Sequence, residues 1–338
     1  MRFVLSDEQE IMRETLHQLL SGAGTASIAR AWSEGKHEPG LLLWRRLAEL
    51  GVAGLTIPER RGGLEYDPAY LVVAFGELGH HAVPGPILES AVAVPVLLRE
   101  LGEQSLCETW LPPLARGERV ATLVHDPTVP YALDGDVAET IFGVHGDELI
   151  VYGSDVELVA QRSVDPARRL FRIANPGDGE RVAEGPEVVA AAAVAVRTAT
   201  LAAAAVLLGA GWMLLESTTE YALQRSQFGR PIGEFQAVKH LLANVVLSLT
   251  FARPLVHAAA VSLASDANCS QEVSMAKLAA SEAAYGAARA ALQVHGAIGY
   301  TTEHDLHLWL KKVYALRSAW GTAAAHRDTV AGTLGLTA

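Results

Sequence analysis

The sequence predicts a mainly α-helical fold with a small β domain: a helical N-terminal domain, a shortened middle β domain and a C-terminal four-helix bundle. Three observations predict it. Apolar residues recur at helical spacing up to residue 116 and again from residue 188 to the end, whereas residues 117–187 hold only short apolar runs broken by Pro, Gly and Asp. The chain has 338 residues, 50% hydrophobic and 19% charged, enough for two or three domains with real cores. No internal repeat or low-complexity linker appears, so the domains are read as residues 1–116, 117–187 and 188–338.

At the start, Ser6 and Gln9 form a capping box ahead of Ile11, Met12, Thr15, Leu16 and Leu19, which share a helix face. A second helix buries Leu43, Trp44, Leu47 and Leu50 and ends at Gly51, before the turn-rich residues 58–63. Residues 69–78 and 91–101 read as two more helices, parted by Pro84, Gly85 and Pro86. The strands are expected at 120–124, 141–144, 149–152 and 170–173. Long helices follow at 191–225, 235–264, 271–295 and 303–320, with short connections that suit a bundle. Pro254 lies inside the second of these and is expected to kink it, since the lost hydrogen bond and ring clash cost about 3 kcal/mol.

Composition excludes several functions. A formal charge of −11, with no Lys/Arg run, repels phosphate backbones and anionic membrane surfaces, so no nucleic-acid partner is expected. Cys107 and Cys269 form no CxxC pair, which fits a reducing compartment rather than a disulfide framework or thiolate metal site. The opening residues MRFVLSDEQE are charged and lack an apolar leader, so a cytoplasmic location is expected. Residues 188–215 are apolar for long enough to cross a bilayer, but they are mostly alanine, include Arg197 and Thr198, and meet polar residues from Glu216 onward. They read as a buried bundle helix, not a membrane span.

The chemistry concentrates at two turns between bundle helices. In the first, RSQFGRPIGEFQ, Arg225 can take a pyrophosphate in a forked contact, Gln227 and Gln236 can pair with polar edges, and Phe228 can pack on an adenine face. A basic helix end with a packed phenylalanine is the plainer alternative. In the second, QVHGAIGYTTEH, Gly296 can end the helix in a left-handed conformation, Gly299 permits close backbone approach, and Thr302 with Asp305 can cap the next helix. Its exposed amides could receive a phosphate or a ribityl hydroxyl.

Together, these segments resemble the two signature segments of the acyl-CoA dehydrogenase family, close to RxxFGxxIxxxQ and QxxGGxGYxxE, and IPERRGG resembles that family's IPExxGG stretch. The resemblance covers most of the chain. It implies a helical domain, a β domain and a four-helix domain assembled as a dimer of dimers, with FAD between subunits. It also implies that Arg225, Gln227, Phe228, Gln236, Gln293, Gly296 and Ala297 hold the ADP half of an FAD bound mainly by a neighbouring chain.

Three departures from the family pattern bear on catalysis. The family removes the α-proton of an acyl-CoA thioester with a glutamate while the β-hydride passes to flavin. At the usual glutamate position this chain has Trp320, in Ala-Trp-Gly-Thr; at the alternative position on the first bundle helix it has Ala199 or Thr200. The β domain offers His125-Asp-Pro-Thr and Gly153-Ser-Asp, with no tryptophan between Trp110 and Trp212 to complete a flavin-ring cradle. No catalytic residue is therefore assigned. The pattern resembles the non-catalytic subunit of actinobacterial α2β2 dehydrogenases that act on steroid side-chain CoA esters, which shares FAD with a catalytic partner. A self-sufficient enzyme with a displaced base and a flavin-free structural or acyl-CoA-binding protein are the alternatives. His295, His304 and His307 lack the carboxylate or thiol set of a metal site, and no metal is expected in the chain; His80-His81 read as a helix end, and Glu216 and Glu220 as a solvated face.

Overall fold

The computed structural model describes residues 4–265 and 269–336. Helices α1 (Asp7–Ala23), α2 (Thr25–Ser33), α3 (Glu38–Glu49), α4 (Pro68–His80), α5 (Val94–Leu101) and α6 (Gln104–Ala115) come first. The capping box is formed: Gln9 N–H donates to Ser6 Oγ at 3.3 Å and Ser6 N–H to Gln9 Oε1 at 3.0 Å. The buried stripe of α1 is narrower than expected, because Leu16 and Leu20 are covered while Ile11 is 64% exposed. Leu43, Trp44 and Leu47 are buried as expected, Leu50 is not, and Gly51 ends the helix at φ +84°. The expected helix at 91–101 is in fact a π-helical turn, Glu89–Ala93, running into α5.

The middle of the chain folds into β1 (Ala121–His125), β2 (Ala132–Leu133), β3 (Thr140–His145), β4 (Glu148–Tyr152), β5 (Leu158–Gln161), β6 (Leu170–Ile173) and β7 (Glu180–Glu184). They make two sheets, ordered β1-β3-β4-β7 and β2-β6-β5. β1 and β3 are parallel; the other pairs are antiparallel. Val124, Ile141 and Tyr152 from one sheet meet Ala132, Phe171 and Ile173 from the other in a small separate core.

The C-terminal part comprises α7 (Pro186–Gln224), a hairpin of β8 (Ser226–Gln227) and β9 (Arg230–Pro231), α8 (Gln236–Ser265), α9 (Ser270–His295), α10 (Leu306–Ser318) and α11 (Ala323–Thr333). The 39-residue α7 is the hub, packing on α4, α5, α8, α9 and α10. Its alanines and glycines permit very close approach: a Cβ added at Gly209 would overlap Gly76 O, and one at Gly79 would overlap Val206 O. Both α7 and α8 are long and apolar enough to cross a bilayer, but 78% of the apolar window of α7 is buried against protein, compared with 33% for α8.

α8 runs from Gln236 through Pro254 to Ser265 as one helix. Two expectations for the bundle are corrected. α10 begins at Leu306, not residue 303, and neither Thr302 nor Asp305 caps it: His304 Nδ1 accepts from Leu306 N at 3.2 Å, while Asp305 pairs with Arg30. The additional helix α11 follows, with Thr322 Oγ1 accepting from Ala325 N at 3.2 Å, and packs on α9.

Several ionisable groups are enclosed where the helices meet the sheets. Asp134 is fully buried and accepts from Trp32 Nε1 at 2.8 Å; burial pushes its pKa up to about 8. The folded chain thus keeps a proton on Asp134 that the unfolded chain releases near pH ~4. Between those values the folded state binds more protons, so this group's contribution to stability falls as pH rises. Asp134→Asn keeps an acceptor for Trp32 and resembles the protonated acid. It is expected to gain on the natural chain by up to about 1.4 kcal/mol per pH unit as pH rises from about 5 to 8. Urea unfolding across that range measures this; a difference that does not vary with pH contradicts it.

Candidate functional site

The first signature turn begins where α7 ends. Arg225 leaves the helix with extended backbone while its N–H still donates to Tyr221 O at 2.9 Å, and Ile232 N–H donates to Arg225 O at 2.8 Å. Between them the hairpin pairs Ser226 with Pro231 and Gln227 with Arg230. Its central residues, Phe228 and Gly229, have φ of +53° and +81°. Positive φ at both positions matches the twist of a two-residue hairpin, but for phenylalanine it costs about 1–2 kcal/mol. Phe228 is nevertheless 92% exposed, touching Phe235 only edge-on with centroids 6.3 Å apart. Arg225, Gln227 and Gln236 are also exposed, and the Arg225 guanidinium makes no ion pair among the described residues. By contrast, Arg230 is engaged, 4.4 Å over the Phe235 ring.

The second turn begins at the end of α9. Gly296 has positive φ but takes ψ −138°, outside the left-handed helical well expected of it, and residues Gly296–Tyr300 form a 3₁₀ turn. Gln293 and Ala297 are exposed and Gly296 is half-buried. A stacked pair joins the two turns: Tyr221 lies on His295 with centroids 4.3 Å apart and planes at 22°. His295 Nδ1–H donates to Ala291 O at 2.8 Å, and burial lowers its pKa, keeping the ring neutral against tyrosine. Thus all seven residues of the two signature segments lie at one end of the bundle. Phe228→Gly is expected to leave the isolated chain as stable, or more stable by about 1 kcal/mol, by relieving the backbone. Thermal unfolding checks this; a clear loss of stability would mean that the ring packs on its own chain.

The expected base positions converge elsewhere. Trp320 follows α10 with φ +59° and Gly321 has φ +97°, which reverses the chain into α11. Trp320 is buried, and its carbonyl accepts from His326 Nε2 at 3.0 Å. His326 Nδ1 lies 3.1 Å from Ser274 Oγ, and burial, reinforced by Lys277, pushes its pKa down to about 4. Thr200 Oγ1 donates to Val196 O at 2.7 Å and lies 3.5 Å from Trp320 O, so the two positions are neighbours. Ala199 beside it is fully buried. Trp320 also forms part of the wall of a crevice of about 330 Å³, between residues 127–131 and 162–164 of the β region and the end of α10. Arg162 and Arg168 line it, but no Asp or Glu does.

Sequence reasoning missed two enclosed carboxyls behind this crevice, Asp134 and Glu89. Glu89 is fully buried, neither oxygen has a hydrogen-bond partner among the described residues, and burial pushes its pKa up to about 7. Such a group has the properties of a general base. It does not line the crevice, however; Arg168 does, with Nη2 3.8 Å from Glu89 Oε1. The readable signal was a lone glutamate within an apolar run of helix-forming residues.

The family profile of the acyl-CoA dehydrogenase N-terminal domain matches residues 6–118, and that of the C-terminal domain matches residues 184–335. The chain is 36% identical over 315 residues to the acyl-CoA dehydrogenase IpdE2 of Mycobacterium tuberculosis, covering 91% of each. Its fold is similar to a chain of the ChsE4–ChsE5 complex from Mycobacterium tuberculosis, with TM-score 0.83, 22% identity and 100% of both chains covered. It is also similar to a variant of the Tcur3481–Tcur3483 steroid ACAD, with TM-score 0.85, 23% identity and 97% and 98% covered. With both terminal domains matched and the fold shared over the whole length, this chain belongs to the acyl-CoA dehydrogenase family.

Proposed function

We propose that this chain is the non-catalytic subunit of a heteromeric FAD-dependent acyl-CoA dehydrogenase. It pairs with a catalytic chain in an α2β2 heterotetramer that desaturates a steroid side-chain CoA ester. The single observation that supports this reading is the crevice wall: Trp320, which stands at the family's usual base position, lines it with two arginines and no carboxylate. Abstracting that weakly acidic proton requires a positioned base with a pKa near the working pH. In this reading the partner supplies it. Bound FAD supplies the hydride acceptor for the β-carbon.

This chain's own contribution is to hold the ADP half of the partner's FAD. Arg225 offers a planar fork to the pyrophosphate, Gln227, Gln236 and Gln293 offer amides to polar edges, Phe228 offers a ring face to adenine, and the backbone at Gly296 and Ala297 offers N–H groups. An exposed guanidinium, without an ion pair among the described residues, and an exposed aromatic on a strained turn suit a surface completed by another molecule. The adjacent α8 presents Leu247 and Phe251, 53% and 70% exposed, as an apolar face that a second chain would cover. The likeness to a ChsE4–ChsE5 complex and to a steroid ACAD supports both the paired assembly and the substrate class. Co-expression with the catalytic chain, followed by counting flavins per chain, tests the reading: FAD retained only in the complex supports it, and stoichiometric FAD on the chain alone opposes it.

A further inference from the structure

We propose that His17, Glu77, His80 and His81 form a binding site for a divalent transition-metal ion of the zinc class. The set was not visible in the sequence, where His80 and His81 read only as a helix end. They do end α4, but α1 packs along that helix and brings His17 to the same point. His17 Nδ1 lies 3.1 Å from Glu77 Oε2, His81 Nε2 lies 3.3 Å from His17 Nδ1, and His81 Nε2 lies 3.9 Å from Glu77 Oε2. Ligands about 2.0–2.1 Å from a tetrahedral ion are separated by about 3.3 Å, so these three donors outline one face of such a centre. One donor atom from each of the four residues, His80 included, lies within 4.8 Å of the others.

The surroundings also fit. Glu77 is 9% exposed, and Arg13 Nη1, 3.9 Å away, faces its other oxygen, leaving Oε2 toward the imidazoles. Glu216, exposed as expected, also lies 2.9 Å from His80 Nε2, a carboxylate–histidine pairing of the kind that orients metal-bound rings. His17, Glu77 and His80 line a cavity of about 840 Å³, which gives an ion access. Imidazole and carboxylate without thiolate select zinc and its first-row neighbours over calcium or magnesium. Four protein donors leave no open position, so the ion would staple α1 to α4 rather than perform chemistry. This inference is independent of the subunit assignment.

The test uses the full chain, without an affinity tag, stripped with chelator and titrated calorimetrically with zinc ion alone. One equivalent is expected to bind and to raise the thermal midpoint; cobalt ion in its place should give the visible bands of a tetrahedral site without a sulfur charge-transfer band. His17→Ala is decisive, because His17 is half-exposed and its loss leaves the core intact. It should weaken binding by about 10- to 100-fold or more and abolish the thermal shift, whereas His145→Ala should do neither. An absence of stoichiometric binding, or binding unchanged in His17→Ala, overturns the proposal and leaves an ordinary hydrogen-bonded His/Glu cluster.

Discussion

Arg225→Ala in this chain, with the catalytic partner unchanged, is expected to lower the affinity of the complex for FAD by about 10- to 100-fold. A hydrogen bond to a charged group contributes about 1.5–3 kcal/mol, and each 1.4 kcal/mol is about a factor of ten. Arg225 is exposed, so its removal leaves folding within about 0.5 kcal/mol, and any loss of FAD reports the contact itself. Arg225→Lys should fall between the two, keeping the charge but losing the planar fork. Titrating FAD into the apo-complex by flavin fluorescence measures this. Affinity unchanged in Arg225→Ala would mean that the turn does not touch a dinucleotide.

Gly209→Ala is expected to cause a large loss of stability. Gly209 lies where α7 crosses α4; an added methyl would overlap Gly76 O and come within 2.9 Å of His80 N. The atoms in the way are backbone, so the two helices must separate. Overpacking of this kind costs about 1–3 kcal/mol and sometimes more. Gly286→Ala is the matched control: Gly286 lies inside α9 with nothing within 4 Å of the added carbon. There the substitution should stabilise by about 0.5–1 kcal/mol, the usual difference between alanine and glycine in a helix. Urea unfolding of both variants gives the comparison, and equal effects would contradict the close crossing.

Local chemistry made much of the fold legible. The Ser6–Gln9 box, the Gly51 terminator and the strand Leu170–Ile173 stand where their residues alone indicate. The misses share a cause: local signals that serve two elements or point the wrong way. Gly24, at φ +68°, both ends α1 and begins α2, so no Ser, Thr, Asp or Asn announces the second helix. Pro112 and Pro113, residues that ordinarily interrupt a helix, lie inside α6. Glu180–Glu184 alternates neither in sequence nor in burial, and becomes a strand only by pairing with β4.

The same division holds for the site. Arg225 to Gln236 and Gln293 to Ala297 could be read because each set is contiguous in sequence. That Thr200 and Trp320 are neighbours required the fold, since 120 residues separate them. The buried carboxyls Glu89 and Asp134 and the His17–Glu77 contact, spanning 60 residues, are likewise products of tertiary packing. No periodicity encodes them.

The most direct measurement of the subunit assignment is the flavin content of this chain, purified alone and purified with its catalytic partner. The chain alone is expected to emerge without stoichiometric FAD and to oxidise no acyl-CoA, while the α2β2 complex should hold about one FAD for each pair of unlike chains. A full equivalent of FAD on the isolated chain, together with turnover of an acyl-CoA thioester, would contradict the assignment.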